Sequence, residues 1–202
     1  LRHHADADGI CAAVAIEQAV TALLRESGAD FDAEYFLFKR APSKAPFYEI
    51  EDITRDLDFA LKDSVRYGQK MPLILLMDNG STEEDMPSLK MTRIYDLPVM
   101  VVDHHHPDEI VDDYLIAHVN PYHVGGDYGI TAGMLGTEIA RMVNPAIESQ
   151  IRHLPAVAGV GDRSEAPERA RYLAVAAPEY SEAVPFKPPP DQENPEHAVW
   201  RL

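Results

Sequence analysis

The sequence predicts an open, mostly parallel α/β sheet flanked by helices, and three observations carry that prediction. Two short, continuous apolar runs, LILLM at 73–77 and PVMVV at 98–102, have the composition of strands buried on both faces of a parallel sheet. Each run ends directly in an aspartate, Asp78 and Asp103. The segments around them carry helical periodicity, and strands alternating with helices place ligands beyond the carboxyl ends of the strands.

Taken in order, the first strand finishes at about His4, which leaves only a few residues to form it; the chain is expected to begin inside a longer polypeptide. Residues 10–27, ICAAVAIEQAVTALLRES, repeat apolar side chains at helical spacing and are followed by Gly28, a suitable residue just past a helix end. Residues 33–38, AEYFLF, read as a short strand, and RAPSKAPF at 40–47, with two prolines, reads as an exposed connection. A helix is predicted over 49–67. Ser81 and Glu84 have capping-box spacing, so 82–95 reads as the crossover helix of a βαβ unit. YLIAHVN at 114–120 reads as another strand. Helices follow at about 131–143, 147–160 and 164–176, with Pro155 bending or restarting the second. From 183 the text becomes AVPFKPPPDQENPEH, a linker or tail composition.

With 202 residues and 46% hydrophobic content, the chain can bury a sizeable core. It contains no run of about 18 consecutive apolar residues and no signal-peptide pattern, so a cytoplasmic protein with no membrane partner is expected. Cys11 is the single cysteine, which excludes an internal disulfide and a cysteine-built zinc site; its ordinary role is that of a small buried apolar residue. The net charge of −16 counts against a nucleic-acid enzyme, because phosphate backbones are held by Lys and Arg. Two bound divalent cations would reduce that charge, and basic surface could lie elsewhere on a longer protein.

Four segments carry the chemistry: His4-Ala5-Asp6-Ala7-Asp8-Gly9, Met77-Asp78-Asn79-Gly80, Asp103-His104-His105-His106, and Gly161-Asp162. Hard divalent cations prefer carboxylate oxygen, and added imidazoles shift the preference toward Mn²⁺. About six such ligands are too many for one ion that must leave positions open, whereas two ions sharing a carboxylate use them naturally. Any one of these aspartates alone reads as a helix cap or turn residue, and a lone histidine as structural. Their joint occurrence at the ends of apolar segments favours a metal centre.

These segments resemble, in order, the four motifs of the DHH phosphoesterases, a family named for the triplet found here at Asp103, His104 and His105. HADADG is similar to the first motif in its RecJ-like form, MDNG to the second, VVDHHHP to the third and AGVGD to the fourth. Their key aspartates, Asp8, Asp78, Asp103 and Asp162, stand 70, 25 and 59 residues apart. The resemblance covers about residues 1–175 and implies a catalytic DHH domain over 1–182, with 183–202 as a Pro-rich linker toward a second domain that this chain does not include.

Carried over residue by residue, the resemblance implies one metal held by His4, Asp6 and Asp78 and a second by Asp8, Asp78, His104 and Asp162, with Asp78 as the bridge. It implies two divalent cations, Mn²⁺ ahead of Mg²⁺. His105 would face the substrate phosphate and Asp103 would orient a neighbouring imidazole. Asn120, Gly125 and Gly126, after a strand and before a helix, could shape the substrate side, although a turn with a mobile glycine loop fits them equally well. Tyr122 and Tyr128 could stack on bases, whereas Arg40 and Lys44 read as ordinary solvated surface. The glycine after the second Asp in HADADG is similar to RecJ-type nucleases, so exonucleolytic hydrolysis of single-stranded DNA or RNA is the expected function. The alternatives are a small-substrate hydrolase acting on oligonucleotide, cyclic dinucleotide or pyrophosphate, and a non-catalytic replication scaffold. Similar archaeal proteins associate with GINS-type replication factors, which the resemblance extends to this chain as an expected partner.

Overall fold

The structure is a computed structural model and describes residues 1–30 and 32–181. Its elements run β1 (Arg2–His4), α1 (Ala7–Glu26), α2 (Ala33–Leu37), β2 (Ala41–Ser43), α3 (Ile50–Tyr67), β3 (Ile74–Met77), α4 (Met86–Ile94), β4 (Val99–Val102), β5 (Ala117–Val119), α5 (Ala132–Val143), α6 (Glu148–Ile151), α7 (Leu154–Gly161) and α8 (Pro167–Ser181). Short 3₁₀ turns occupy Glu83–Asp85, Glu109–Tyr114, Pro121–Val124 and Pro145–Ile147. The chain forms two compact units, one built from Leu1–Ala5 and Lys39–Tyr128, the other from Asp6–Phe38 and the residues from Gly129 onward.

The first unit holds the predicted sheet. Its five strands lie in the order β2-β1-β3-β4-β5, and every pairing is parallel. Alternation along the strands sends Ile74, Leu76, Val99 and Val101 into one core with Ile53 and Leu57 of α3, Met86 and Leu89 of α4, and Tyr48. In this strand order the chain reverses its direction of travel across the sheet between β1 and β3, the position where open parallel sheets place their ligands. His3 pairs with Met77 and Met77 with Val102, so the next residues, His4, Asp78 and Asp103, stand side by side at the carboxyl ends.

A buried cation ties β1 to α3. The Arg2 guanidinium donates to both oxygens of Asp56, to Asp52 Oδ1 and to the carbonyl of Pro42, and Tyr48 donates its hydroxyl to Asp56. Burial opposes the charge on Arg2, but the carboxylates outweigh it and hold its pKa above the usual value.

The second unit is helical. α1 packs along α5 and α7 through a face of small side chains, with Ala12, Ala13, Ala15 and Ala19 fully buried. The close approach has a steric requirement: a Cβ on Gly133 would lie 2.4 Å from the Ala158 Cβ, and one on Gly161 would lie 2.6 Å from the Ala7 Cβ. By length and composition α1 is apolar enough to cross a membrane, which qualifies the expectation of no such stretch; within its unit it serves as the core helix against α5 and α7.

Several sequence expectations are corrected. Residues 33–37 form helix α2, not a strand; Glu34 in its first turn pairs with Arg25 of α1. The second strand lies instead at Ala41–Ser43, inside the segment read as a connection. Pro42 is tolerated there because β2 is an edge strand and needs no second row of donors. The reciprocal cap before α4 is made by Thr82 and Asp85, one residue later than Ser81 and Glu84. β5 is shorter than predicted, and Arg152 and His153 divide the 147–160 segment into α6 and α7, with Pro155 in the first turn of α7. The predicted tail at 183–202 lies outside the described residues.

Asp85 joins two parts of the first unit: Oδ1 accepts the Tyr48 N–H at 2.6 Å and Oδ2 accepts the Thr82 N–H at 2.9 Å. Asp85→Ala strips the acceptor from both donors, and the unfolding free energy is expected to fall by about 2 kcal/mol, read from urea titration. Unchanged stability would show that these bonds contribute nothing.

Candidate metal centre

In the first unit the site begins where β3 ends. The Asp78 N–H still donates to the Val102 carbonyl at 2.9 Å, so strand pairing holds to this residue. Its φ of +61° then turns the chain sharply into the left-handed region, which is uncommon for a side chain other than glycine. Gly80 completes the turn at φ +99°, where a Cβ would meet Leu76 and Val101 side chains at 2.8 and 2.9 Å. Such backbone strain persists only where its surroundings fix it.

The Asp78 carboxylate is buried, at 1% exposure, and neither oxygen accepts a hydrogen bond. Three imidazoles face it instead: His4 Nδ1 lies 3.4 Å from Oδ2, His104 Nε2 lies 3.4 Å from Oδ1, and His105 Nδ1 lies 3.8 Å from Oδ1. Burial pushes the Asp78 carboxyl up, but His104, His4 and His105 outweigh it and hold it at about 2. Donor atoms of Asp78, His104 and His105 lie within 4.8 Å of one another, as do those of His4 and Asp78.

The DHH triplet divides its work. Asp103, also 1% exposed, accepts through Oδ1 from the His104 N–H, the His105 N–H and the His105 ring Nδ1 at 2.8, 3.3 and 2.8 Å. Burial raises the Asp103 pKa, and the bond to His105 brings it below its usual value. In return Asp103 raises the pKa of His105, against the opposing effect of burial. His104 donates Nδ1–H to the Tyr128 carbonyl at 2.6 Å, which fixes the ring with Nε2 toward Asp78.

In the second unit Asp6 and Asp8 flank the start of α1. Asp6 is its N-cap, accepting the Gly9 N–H through Oδ1 at 2.9 Å, so the side chain expected as a ligand fills the ordinary capping role. Asp8 is buried and accepts from the N–H groups of Ala132 and Gly133, both at 2.8 Å. These are the first donors of α5, whose terminus favours negative charge, and Thr131 caps the same helix. Asp162 closes α7, and its carboxylate lies within 4.8 Å of that of Asp8. Thr131-Ala132-Gly133, the support of Asp8, is not among the residues expected from the sequence; the signal available was a capping Thr ahead of a glycine inside a helical pattern.

The proposed substrate residues are placed differently. Asn120 is buried, donates to the His105 carbonyl at 2.9 Å and accepts from the Tyr122 N–H at 3.1 Å, so its amide holds the backbone of the triplet and turns inward. Gly126 donates its N–H to the Pro121 carbonyl, and Gly125, at φ +78°, ends the same 3₁₀ turn. Both are turn residues. Tyr128 is exposed, and Tyr122 lies edge-on to His106 at 4.9 Å.

The donor set fits divalent cations. Buried carboxylate oxygens without hydrogen bonds, faced by imidazole nitrogens beyond 3.3 Å, have the spacing of groups converging on a shared ion rather than on one another.

Comparison with known proteins agrees with this chemistry. Residues 1–158 match the family described as the DHH family, N-terminal domain. The chain is 51% identical over 182 residues to an uncharacterized protein of Methanocaldococcus jannaschii, covering 87% of this chain and 24% of that protein. It is also similar to a solved structure titled as the DHH domain of a member of the s1p family of ribosomal proteins, with 48% identity and a TM-score of 0.85. That match covers 88% of this chain and 42% of the other. The chain thus spans about a quarter of the one relative and less than half of the other.

Gly133 gives a test confined to the second unit. A Cβ there would press on Ala158 and stand 2.9 Å from Asp8 Oδ1, so Gly133→Ala displaces the Asp8 carboxylate. We expect stability to fall by about 1–3 kcal/mol and Mn²⁺ affinity to fall about tenfold, measured by denaturant unfolding and calorimetric titration. Wild-type affinity in a folded variant would count against the ligand role that the sequence motif implies for Asp8.

Proposed function

Because this chain belongs to the DHH family, whose members are generally metal-dependent phosphoesterases, we propose that it is a two-metal phosphodiesterase hydrolysing single-stranded DNA or RNA in the manner of RecJ-like exonucleases. The observation that carries the reading is Asp78, a buried carboxylate without hydrogen bonds and surrounded by imidazoles.

The residues that would hold the cations are His4, Asp78 and His104 in the first unit and Asp6, Asp8 and Asp162 in the second, a mixed carboxylate and imidazole set that favours Mn²⁺ over Mg²⁺. When bound, such a pair lowers the pKa of an attacking water and neutralises the phosphoryl oxygens. His105 supplies the remaining chemistry. Asp103 holds its Nδ1–H and sustains its protonation, which directs Nε2 to a phosphate oxygen or to the leaving oxygen; the side chain is 40% exposed and within reach of a substrate. Asn120 positions this group from behind through the His105 carbonyl.

RNA belongs beside DNA as a substrate because the solved relative is titled a member of a ribosomal protein family. The net charge of −16 favours a second reading, a hydrolase of oligonucleotides, cyclic dinucleotides or pyrophosphate, whose substrates do not track a long surface. A GINS-type replication factor is the proposed partner.

The deciding experiment incubates the chain with Mn²⁺ and end-labelled single-stranded DNA, RNA, dinucleotide and pyrophosphate. Mononucleotide release from a strand supports the exonuclease, and turnover of dinucleotide or pyrophosphate alone supports the second reading. Asp78→Ala is expected to abolish turnover and weaken cation binding, and wild-type turnover in that variant would overturn the metal reading. His105→Ala is expected to lower kcat by about 10²–10⁴-fold with KM little changed.

A further inference from the structure

Outside the centre built on Asp78, the first unit contains a second group of metal-competent side chains. Asp112, His118 and His123 each offer a ligand atom, and those atoms lie within 4.8 Å of one another. They come from one short stretch: Asp112 from the 3₁₀ turn Glu109–Tyr114, His118 from β5 and His123 from the 3₁₀ turn Pro121–Val124. His118 is nearly buried, with its side chain 6% exposed, whereas that of Asp112 is 45% exposed. The two imidazoles meet edge to face with centroids 4.6 Å apart. Asp112 and His123 also line a cavity of about 530 Å³ together with His106, Glu109 and Tyr122.

The hydrogen bonding of His118 fixes its ring. Its Nε2 lies 2.9 Å from Ser81 Oγ, and its Nδ1 lies 2.7 Å from Asp112 Oδ1. The ring is thus held from both sides, with Nδ1 and the carboxylate turned toward one another and toward the side on which His123 lies.

We propose that Asp112, His118 through Nδ1, and His123 bind one transition-metal ion of the Zn²⁺ class. Two imidazoles and one carboxylate are a familiar three-ligand set for that ion, with a fourth position open, here toward the cavity. Ser81 supplies the supporting bond to the other ring nitrogen that metal-bound histidines ordinarily make. A tetrahedral ion with bonds of about 2.0 Å separates its ligands by about 3.3 Å. Asp112 therefore moves outward by about half an ångström, which its half-exposed position permits. On binding, the ring carries its proton on Nε2 and donates it to Ser81 Oγ, while the cation replaces the hydrogen bond between Nδ1 and Oδ1. The ion joins both 3₁₀ turns to β5 and so fastens the backbone that carries Asn120.

The test counts metal in the full chain after equilibration with Zn²⁺ and removal of excess, for the wild type, Asp112→Ala, His123→Ala and Asp78→Ala. We expect Asp112→Ala and His123→Ala each to bind one equivalent fewer than the wild type, and Asp78→Ala to keep that equivalent. Co²⁺ in its place should give the visible bands of a tetrahedral site, absent from His123→Ala. His123 is exposed, so its substitution leaves the fold intact, and a Zn²⁺-induced rise in Tm seen in the wild type should be smaller in that variant. Equal stoichiometry in the wild type and His123→Ala, or loss of the same equivalent in Asp78→Ala, would overturn the site. Neither result depends on hydrolytic activity, so this site and the proposed function fail separately.

Discussion

The first unit is arranged around a carboxylate that ends a strand without accepting a hydrogen bond. A buried, ionised carboxylate is costly unless positive charge or donors compensate it. Asp78 has neither oxygen hydrogen-bonded, and the imidazoles of His4, His104 and His105 stand at ion-pair distance. That arrangement needs three adjacent parallel strands ending at one level, which the pairings of His3 with Met77 and of Met77 with Val102 provide. It also needs a backbone that turns away immediately after the strand, which the left-handed Asp78 and Gly80 provide. The left-handed backbone at Asp78 and the imidazoles around it meet one requirement: a negative charge fixed at the end of the strand.

The second unit meets its own requirement differently. Asp8 is held by backbone donors at the start of α5 instead of by side chains, so its position depends on how closely α1 and α5 approach. The alanine face of α1 and Gly133 permit that approach, and Gly159 and Gly161 let α7 lie close against α5 and α1. The same composition that gives α1 the apolarity of a membrane span therefore has a packing cause. Cys11, whose thiol is pushed up to about 12 mainly by burial and also by Asp8 and Asp6, belongs to this packed face and not to the chemistry.

Much of this was legible in the sequence because the informative signals were local. Apolar runs ending in aspartate gave β3 and β4, and helical periodicity gave α1, α3 and α5. Local pattern failed where tertiary context decided. AEYFLF has the composition of a strand, yet Glu34 finds Arg25 and the segment coils. Ala41–Ser43 has the composition of a loop, yet it lies beside β1 and pairs with it. At the site, the residue types at the strand ends were readable, but their supports were not. The bond from Asp103 to His105, the inward turn of Asn120 and the N–H groups that hold Asp8 are products of the fold. Only Gly133 left a trace in the text, as a glycine inside a helical pattern.

The acidity of the chain restricts how a phosphodiesterase built on it can work. A net charge of −16 repels a phosphate backbone at long range, and that repulsion is largely screened beyond about 10 Å at 0.1 M salt. A cation held at Asp78 acts within that distance. A cation there would attract the phosphates nearest to it against the net charge of the chain. The nuclease and small-substrate readings thus share one physical basis, attraction exerted close to a bound cation.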